Sequence, residues 1–141
     1  MAQAPGPPPE PGASPPGGEV YDWYRRGLDL LENGDAAAAA QLLSRAVAAQ
    51  PQARSAREAL GRAQFDAGRY AEAVITFEAI VVDDPADDYA RFGLGLALTR
   101  LGRFAAAVEH LALAAAMRPD LRHYAAALRG ARATLRARGE R

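Results

Sequence analysis

The chain has 141 residues, half of them apolar and only 7% aromatic, so we expect a core of small side chains at close approach, as between packed helices. Its 17 acidic residues balance 17 basic ones, all of them arginine, so no net charge would draw it onto nucleic acid or an anionic membrane. The absence of cysteine excludes disulfides, thiol nucleophiles and cysteine metal sites, and no run approaches the roughly 20 apolar residues of a membrane span.

Residues 1–19 are rich in proline and glycine and hold almost nothing that could be buried. They are predicted to form a disordered or extended tail. A proline-rich docking ligand is the alternative, but no flanking basic residue fixes an orientation for recognition. Because the chain lacks the basic start and apolar block of a secretory signal, we predict a cytoplasmic protein. The bias towards Ala, Arg, Gly and Pro resembles that of high-GC bacteria.

From Val20 onward, helix-period hydrophobic residues are interrupted at a fixed period of 34 residues. Four sets of residues recur with this spacing: a first glycine column (Gly27, Gly61, Gly95), a second glycine column (Gly34, Gly68, Gly102), an alanine column (Ala39, Ala73, Ala107) and a proline column (Pro51, Pro85, Pro119). Four columns that agree over three copies without an insertion indicate a true structural repeat.

Each repeat is predicted to be a helical hairpin. Its first helix should end at the second glycine column, where the chain turns through a left-handed conformation, and its second helix should stop before the proline column. The first glycine column falls in the middle of the first helix, where glycine costs about 1 kcal/mol relative to alanine. We therefore expect the partner helix to cross there without room for a Cβ.

The pattern Trp, two residues, Leu-Gly, two residues, Tyr, then Ala, three residues, Phe, then Pro is that of the tetratricopeptide repeat. Trp23, Phe77 and the four columns carry this resemblance, which covers residues 20 to about 119. It implies an all-α fold: an α-solenoid of three helix-turn-helix hairpins, at about 20–53, 54–87 and 88–121, within a domain at 20–141. The departures from the pattern, which put local packing in doubt, are Arg26, Arg57, Gln64 and Arg91.

Residues 120–138 are predicted to form a C-terminal capping helix with Asp120 as its N-cap. Leu121, Tyr124, Leu128 and Leu135 make an apolar stripe at helical spacing, and arginines occupy much of the remainder. An arginine-rich arm for nucleic acid is the alternative, which the inward-facing stripe disfavours.

No catalytic constellation is visible in the sequence. Neither His110 nor His123 stands in a metal or triad spacing. The carboxylates around Pro85 invite a calcium hypothesis, but they lack EF-hand spacing, and acids are expected at helix starts on electrostatic grounds. We therefore predict no enzyme, no cofactor and no metal.

The resemblance implies that the first helices line the concave face of a right-handed superhelix, which binds an extended peptide or a helix of another protein. The residues expected to contact the partner are Tyr21, Tyr24, Arg25, Leu28, Arg62, Phe65, Tyr89, Phe92, Leu96 and Arg100. The same face is predicted to include Leu31, Ser55, Glu58, Ala59, Asp66 and Thr99, which gives a groove aromatic at both ends and charged in the middle. The alternative is that the aromatic residues simply cover the core.

One subclass of the family clamps the terminal carboxylate of a chaperone with Lys, Asn and Arg side chains. At the corresponding positions this chain has Tyr24, Leu28, Ala59, Tyr89 and Gly93, so the clamp is missing. The sequence thus predicts an adaptor, assembly factor or co-chaperone-like module for a ligand with apolar anchors and one or two charges. A structural subunit that self-associates through the solenoid ends is the alternative. RNA binding, known in related helical repeats, is disfavoured by the period and the zero net charge.

Overall fold

The computed structural model describes residues 16–139, and this part of the chain folds into seven α-helices. They are α1 (Pro16–Glu32), α2 (Ala36–Ala49), α3 (Arg54–Asp66), α4 (Tyr70–Asp83), α5 (Asp88–Arg100), α6 (Phe104–Met117) and α7 (Arg122–Ala137). Each helix packs against the next, and the first helices of neighbouring hairpins also touch. The predicted all-α solenoid of three hairpins and a capping helix is confirmed.

Helix α1 begins four residues before the predicted start of the repeats. Residues 16–19, assigned to the tail from composition, are therefore helical. Pro16 occupies the first helical position, where its missing amide costs no hydrogen bond, and Glu19 lies in the first turn, which favours acids. Val20 is then buried against Ala46 and Ala56. The rest of the predicted tail, residues 1–15, lies outside the described residues.

The two glycine columns have different structural roles, as predicted. The second column has φ of +83°, +78° and +78° at Gly34, Gly68 and Gly102, in the left-handed region that other residues avoid. In the first column, an added Cβ would lie 2.6 Å from the side chain on the crossing helix, which is Leu43, Phe77 or Leu111. The prediction of a close helix crossing is confirmed.

Phe77 is the largest fully buried side chain, and it is held between two glycines from different helices. A Cβ added to Gly93 of α5 would lie 2.5 Å from the Phe77 ring, and a Cβ added to Gly61 of α3 would lie 2.6 Å from it. Sixteen residues separate Phe77 from Gly93, and the same separation relates Leu43 to Ala59. The larger ring of the middle repeat is therefore accommodated by a smaller residue on the next repeat.

Three polar departures from the repeat pattern have partners in the fold. Arg57 donates to Asp83 at 2.9 Å, and Arg91 donates to the carbonyl oxygen of Pro85 at 3.1 Å. The side-chain oxygen of Gln64 accepts from the hydroxyl of Thr76 at 2.6 Å. These residues exchange apolar packing for hydrogen bonds and leave the helical framework unchanged.

The capping helix α7 buries Tyr124, Leu128 and Ala131 and exposes most of its arginines. The hydroxyl of Tyr124 donates to Asp88 at 2.7 Å and so ties α7 to α5. The predicted N-cap is wrong, because Leu121 occupies that position and Asp120 instead accepts two hydrogen bonds from the Arg118 side chain.

Candidate functional site

The first helices α1, α3 and α5 line a row of three cavities, which we call the first-helix groove. Its N-terminal cavity, about 240 Å³, includes Val20, Tyr21 and Tyr24. Its central cavity, about 260 Å³, is lined by Tyr24, Leu28, Ser55, Glu58, Ala59, Arg62 and Tyr89. Its C-terminal cavity, about 170 Å³, is lined by Arg62, Phe65, Asp66, Phe77, Tyr89, Phe92, Gly93 and Leu96. Because neighbouring cavities share lining residues, the three form one groove.

The repeat alignment explains the chemistry of the groove. Three sets of equivalent residues, spaced 34 residues apart within each set, face the groove. They are Tyr21, Ser55 and Tyr89; Tyr24, Glu58 and Phe92; and Leu28, Arg62 and Leu96. In each set the residue of the middle repeat is the most hydrophilic. The outer cavities are consequently more apolar than the central one. This distribution agrees with the prediction of aromatic ends and a charged middle.

Stacked side chains fix the walls of the C-terminal cavity. Phe92 stacks on Tyr124 of α7 with ring centroids 4.3 Å apart. The Arg100 guanidinium lies 5.3 Å from the ring of Phe65 and 5.6 Å from that of Tyr70, and it donates to the Tyr70 hydroxyl at 3.2 Å. Arg100 therefore stabilises the position of Phe65, which lines the groove.

Glu58, which lines the central cavity, forms an acidic pair with Asp87. Glu58 is half-buried on α3, and burial, followed by the neighbouring Asp87 carboxylate, raises the pKa of Glu58 to about 7. Asp87 is only 5% exposed and serves as the N-cap of α5, where one carboxylate oxygen accepts from the amide of Ala90 at 2.9 Å. Its second oxygen has no hydrogen-bond donor among the described residues.

The other carboxylates near Pro85 each bind a different partner. Asp83 binds Arg57, Asp84 pairs with Arg54, and Asp88 accepts from the hydroxyl of Tyr124. Within residues 16–139, no group of three or more His, Asp or Glu side chains is placed to hold a metal ion.

The structure brings eight of the ten predicted contact residues to the groove: Tyr21, Tyr24, Leu28, Arg62, Phe65, Tyr89, Phe92 and Leu96. Arg25 is exposed and does not line its cavities, and Arg100 lies behind Phe65. Leu31, placed on the face from the repeat pattern, is wrong, because it is 6% exposed and packs in the core between the first two hairpins.

Asp87 lines none of the three cavities but interacts with Glu58, which lines the central one. This role was missed from the sequence, since Asp87 was interpreted only as an acid at a helix start. Its column contains Ala53 and Leu121 in the other repeats. The sequence signal that could have revealed Asp87 is an acid at a position where the other repeats have apolar residues. Its proximity to Glu58 depends on the packing of α3 against α5.

A larger cavity of about 410 Å³ lies apart from the groove, between α1 and α2. Leu30, Leu42 and Arg45 contribute to its lining, and none of its lining residues belongs to the groove. It forms part of the N-terminal end of the solenoid.

A family model described as tetratricopeptide repeat matches residues 24–88 and 76–121, which include all three glycine turns. The chain belongs to the tetratricopeptide repeat family. These matches cover most of the first-helix groove and most of the three hairpins. No curated protein sequence matches the chain.

Several solved structures of tetratricopeptide repeat proteins share its fold. The chain is similar to MamA 41-end from Desulfovibrio magneticus RS-1, with a TM-score of 0.77 and 23% identity over 82% of this chain, and it spans 65% of that one. It is also similar to the second tetratricopeptide domain of human RPAP3 in complex with the HSP70 peptide SGPTIEEVD, with a TM-score of 0.77 and 19% identity over 84% of this chain and 98% of the domain. The first such domain of Spaghetti (RPAP3), bound to the HSP90 peptide SRMEEVD, has a TM-score of 0.78 and 16% identity over 84% of this chain and 94% of that chain. Identities this low show the fold alone.

Among the described residues, no helix has the length and apolar composition that a membrane crossing requires.

Proposed function

We propose that the protein is an interaction module, an adaptor or assembly factor, that binds an extended segment or a helix of a partner protein in the first-helix groove. The observation that carries the proposal is the groove itself, in which two largely apolar cavities flank a charged one. Membership of the tetratricopeptide repeat family and the peptide complexes of the RPAP3 domains support it.

The groove favours a ligand with two apolar anchors separated by polar residues. One anchor would fill the C-terminal cavity beside Phe65 and Leu96, and the other would fill the N-terminal cavity beside Tyr24. Since the clamp for a terminal carboxylate is absent, internal segments of a partner fit the groove better than a chain terminus.

Acidic substitutions in the two apolar cavities should weaken peptide binding. As a probe we suggest an array of short acetylated and amidated peptides in which two Leu or Phe anchors, at varied spacing, flank one guest residue. We expect Tyr24→Glu and Leu96→Glu each to weaken the best array peptide by about tenfold or more, because each places a carboxylate in an apolar cavity. Fluorescence anisotropy measures the affinity, and circular dichroism checks the fold.

Ile75→Glu is the matched control, since Ile75 is 71% exposed on α4 and does not line the groove. It should bind the array peptides as the wild type does. Equal losses from the groove variants and from Ile75→Glu, or no loss from any of them, would contradict the proposal.

A second candidate function is self-association through the solenoid ends, favoured by the charges there. The described residues of α1 include four acids and two arginines, whereas α7 has four arginines and no acid. Stacking of α7 on α1 of another copy would join opposite charges and cover the cavity beside Leu30. Light scattering should then report salt-sensitive oligomers that the double substitution Arg129→Glu/Arg132→Glu dissociates. A monomer at high concentration and low salt would eliminate this candidate.

A further inference from the structure

Asp87, two residues before the cavity-lining Tyr89, has a buried carboxylate oxygen without a hydrogen-bond donor among the described residues. The side chain of Asp87 is 3% exposed, yet only one of its oxygens, the one that caps α5, accepts a hydrogen bond from the described residues. Buried polar atoms in folded proteins nearly always have a partner, because leaving a carboxylate oxygen without a donor is costly. Capping α5 therefore accounts for one oxygen of this carboxylate, and the surroundings of the second oxygen depend on Glu58 and Arg54.

The Glu58 carboxyl interacts with the Asp87 carboxylate. Glu58 lines the central cavity from α3, and its carboxyl is close enough to Asp87 for a hydrogen bond. Two carboxylates can share such a bond only if one of them holds a proton, which agrees with the raised pKa of Glu58. Below a pH of about 7 the pair thus carries one proton that a suitable cation could replace.

This pair occurs at one repeat junction alone. The positions equivalent to Glu58 are Tyr24 and Phe92, and those equivalent to Asp87 are Ala53 and Leu121. A carboxyl pair is therefore not a requirement of hairpin packing, because the neighbouring junctions form with apolar or aromatic residues at both positions.

The nearby arginines donate no hydrogen bond to the second Asp87 oxygen, although Arg54 forms a long ion pair with it. The Nε of Arg54 lies 3.7 Å from the second Asp87 oxygen, beyond hydrogen-bond distance, and its guanidinium is 60% exposed and bound to Asp84. Arg62, one helical turn from Glu58, pairs with Asp66 at 3.6 Å. The second Asp87 oxygen consequently has an ion-pair partner in Arg54 but no hydrogen-bond donor among the described residues.

We infer that the Glu58–Asp87 pair is the subsite for a basic group of the bound peptide, the ammonium of Lys or the guanidinium of Arg, placed between the two apolar anchors. This inference rests on the proposed function. The entering cation would donate hydrogen bonds to both carboxylates, the shared proton would leave to solvent, and the pair would change from one negative charge to two. Charge-assisted bonds in a partly buried site would then replace a single shared proton.

The ligand chemistry is opposite to that of the peptides in the RPAP3 complexes. SGPTIEEVD and SRMEEVD end in acidic residues and a carboxylate. In this chain, a terminal carboxylate at the central cavity would meet the like charge of Glu58 and Asp87. The same fold would thus select a basic segment here.

The peptide array tests the inference through its guest residue, which is Lys, Arg, norleucine, Gln or Glu. We expect the Lys and Arg peptides to bind at least about tenfold more tightly than the norleucine peptide, and the Glu peptide to bind most weakly. Acetylated and free N-termini are compared, so that a basic side chain is distinguished from a terminal ammonium.

Two nearly isosteric variants should remove this preference without unfolding the protein. Glu58→Gln and Asp87→Asn each keep the side-chain shape, and asparagine caps helices as well as aspartate does. The Lys and norleucine peptides should then bind within about twofold of each other. Glu78→Gln, an equal change of charge on the exposed face of α4, should retain the full preference.

Proton release gives an independent readout. With a Glu58 pKa of about 7, binding of the Lys peptide at neutral pH should release about half a proton, measured by calorimetry in buffers of different ionisation enthalpy. Because the cation favours the ionised pair, its affinity should fall as the pH falls through about 7. Asp88, Arg54 and Arg62 also face this region, and the norleucine peptide, which meets the same groups, should show neither effect.

The two proposals fail differently. Array peptides that bind without preference for a basic guest, and without proton release, overturn the basic subsite and leave the groove standing. If no array peptide binds, or if Tyr24→Glu and Leu96→Glu leave binding unchanged, the proposed function itself is overturned, and the subsite with it.

Discussion

Replacing Phe77 with alanine is expected to lower the free energy of unfolding by about 3–5 kcal/mol, since it would empty the centre of the solenoid. The ring is 2% exposed and fills the space between Gly61 and Gly93, two positions with no side chain to move inward. The cavity therefore cannot close without a shift of α3 or α5. Denaturant unfolding followed by circular dichroism measures the loss. Phe104→Ala, at the half-buried start of α6, is the control and should cost clearly less.

The pairing of Phe77 with Gly93 adds a stricter test of the same packing. Gly93→Ala alone should destabilise the protein, because its Cβ would lie 2.5 Å from the Phe77 ring. In combination with Phe77→Leu the same alanine should be tolerated, since Leu43 and Ala59 already form this combination one repeat earlier. Additive free energies in the double-mutant cycle would contradict the proposed exchange of volume between the two residues.

Ala39→Leu is expected to be the second severe substitution, with a loss of about 3 kcal/mol or more. Ala39 is fully buried on α2, in the same core cluster as Leu43 and Leu31. A leucine at this position would push the two helices of the first hairpin apart. Thermal unfolding measured by circular dichroism would show this loss as a large fall in Tm.

The neighbouring Ala38 supplies the matched control, since both changes add the same atoms to the same run of alanines. Ala38 is half-exposed and lines the open cavity between α1 and α2, so Ala38→Leu should change stability by no more than about 0.5 kcal/mol. Equal effects of the two substitutions would show that the register of α2 is wrong.

Most of the fold could be predicted from the sequence because the constraints are local and repeat. A left-handed turn at Gly34, a helix end before Pro51 and a close crossing at Gly27 each follow from backbone or steric rules that one residue reveals. Because each of these residues recurs in three repeats, the pattern can be distinguished from chance matches in an alanine-rich sequence. Eight of the ten predicted contact residues line the groove for the same reason, since periodicity fixes which side of a first helix they occupy.

The remaining features depend on competition between partners, which periodicity does not encode. Asp120 had the right spacing for an N-cap, but the Arg118 side chain binds its carboxylate instead. Leu31 belongs to the first helix but lies at the edge that faces the core. Arg100 was expected to contact a partner, yet its guanidinium lies against two aromatic rings. The meeting of Glu58 and Asp87 requires the angle between α3 and α5, which a single helix pattern cannot give.

The central claim, that the first-helix groove is the binding surface, is tested most directly by NMR mapping of the array peptide that binds most tightly. Amide resonances of the isotopically labelled protein are assigned and followed during titration. We predict that the perturbed amides lie on α1, α3 and α5, centred on Ser55, Glu58 and Tyr89, while the exposed surface of α2, α4 and α6 around Ile75 stays unchanged. Perturbations confined to that outer surface, or to the arginine-bearing face of α7, would contradict the claim.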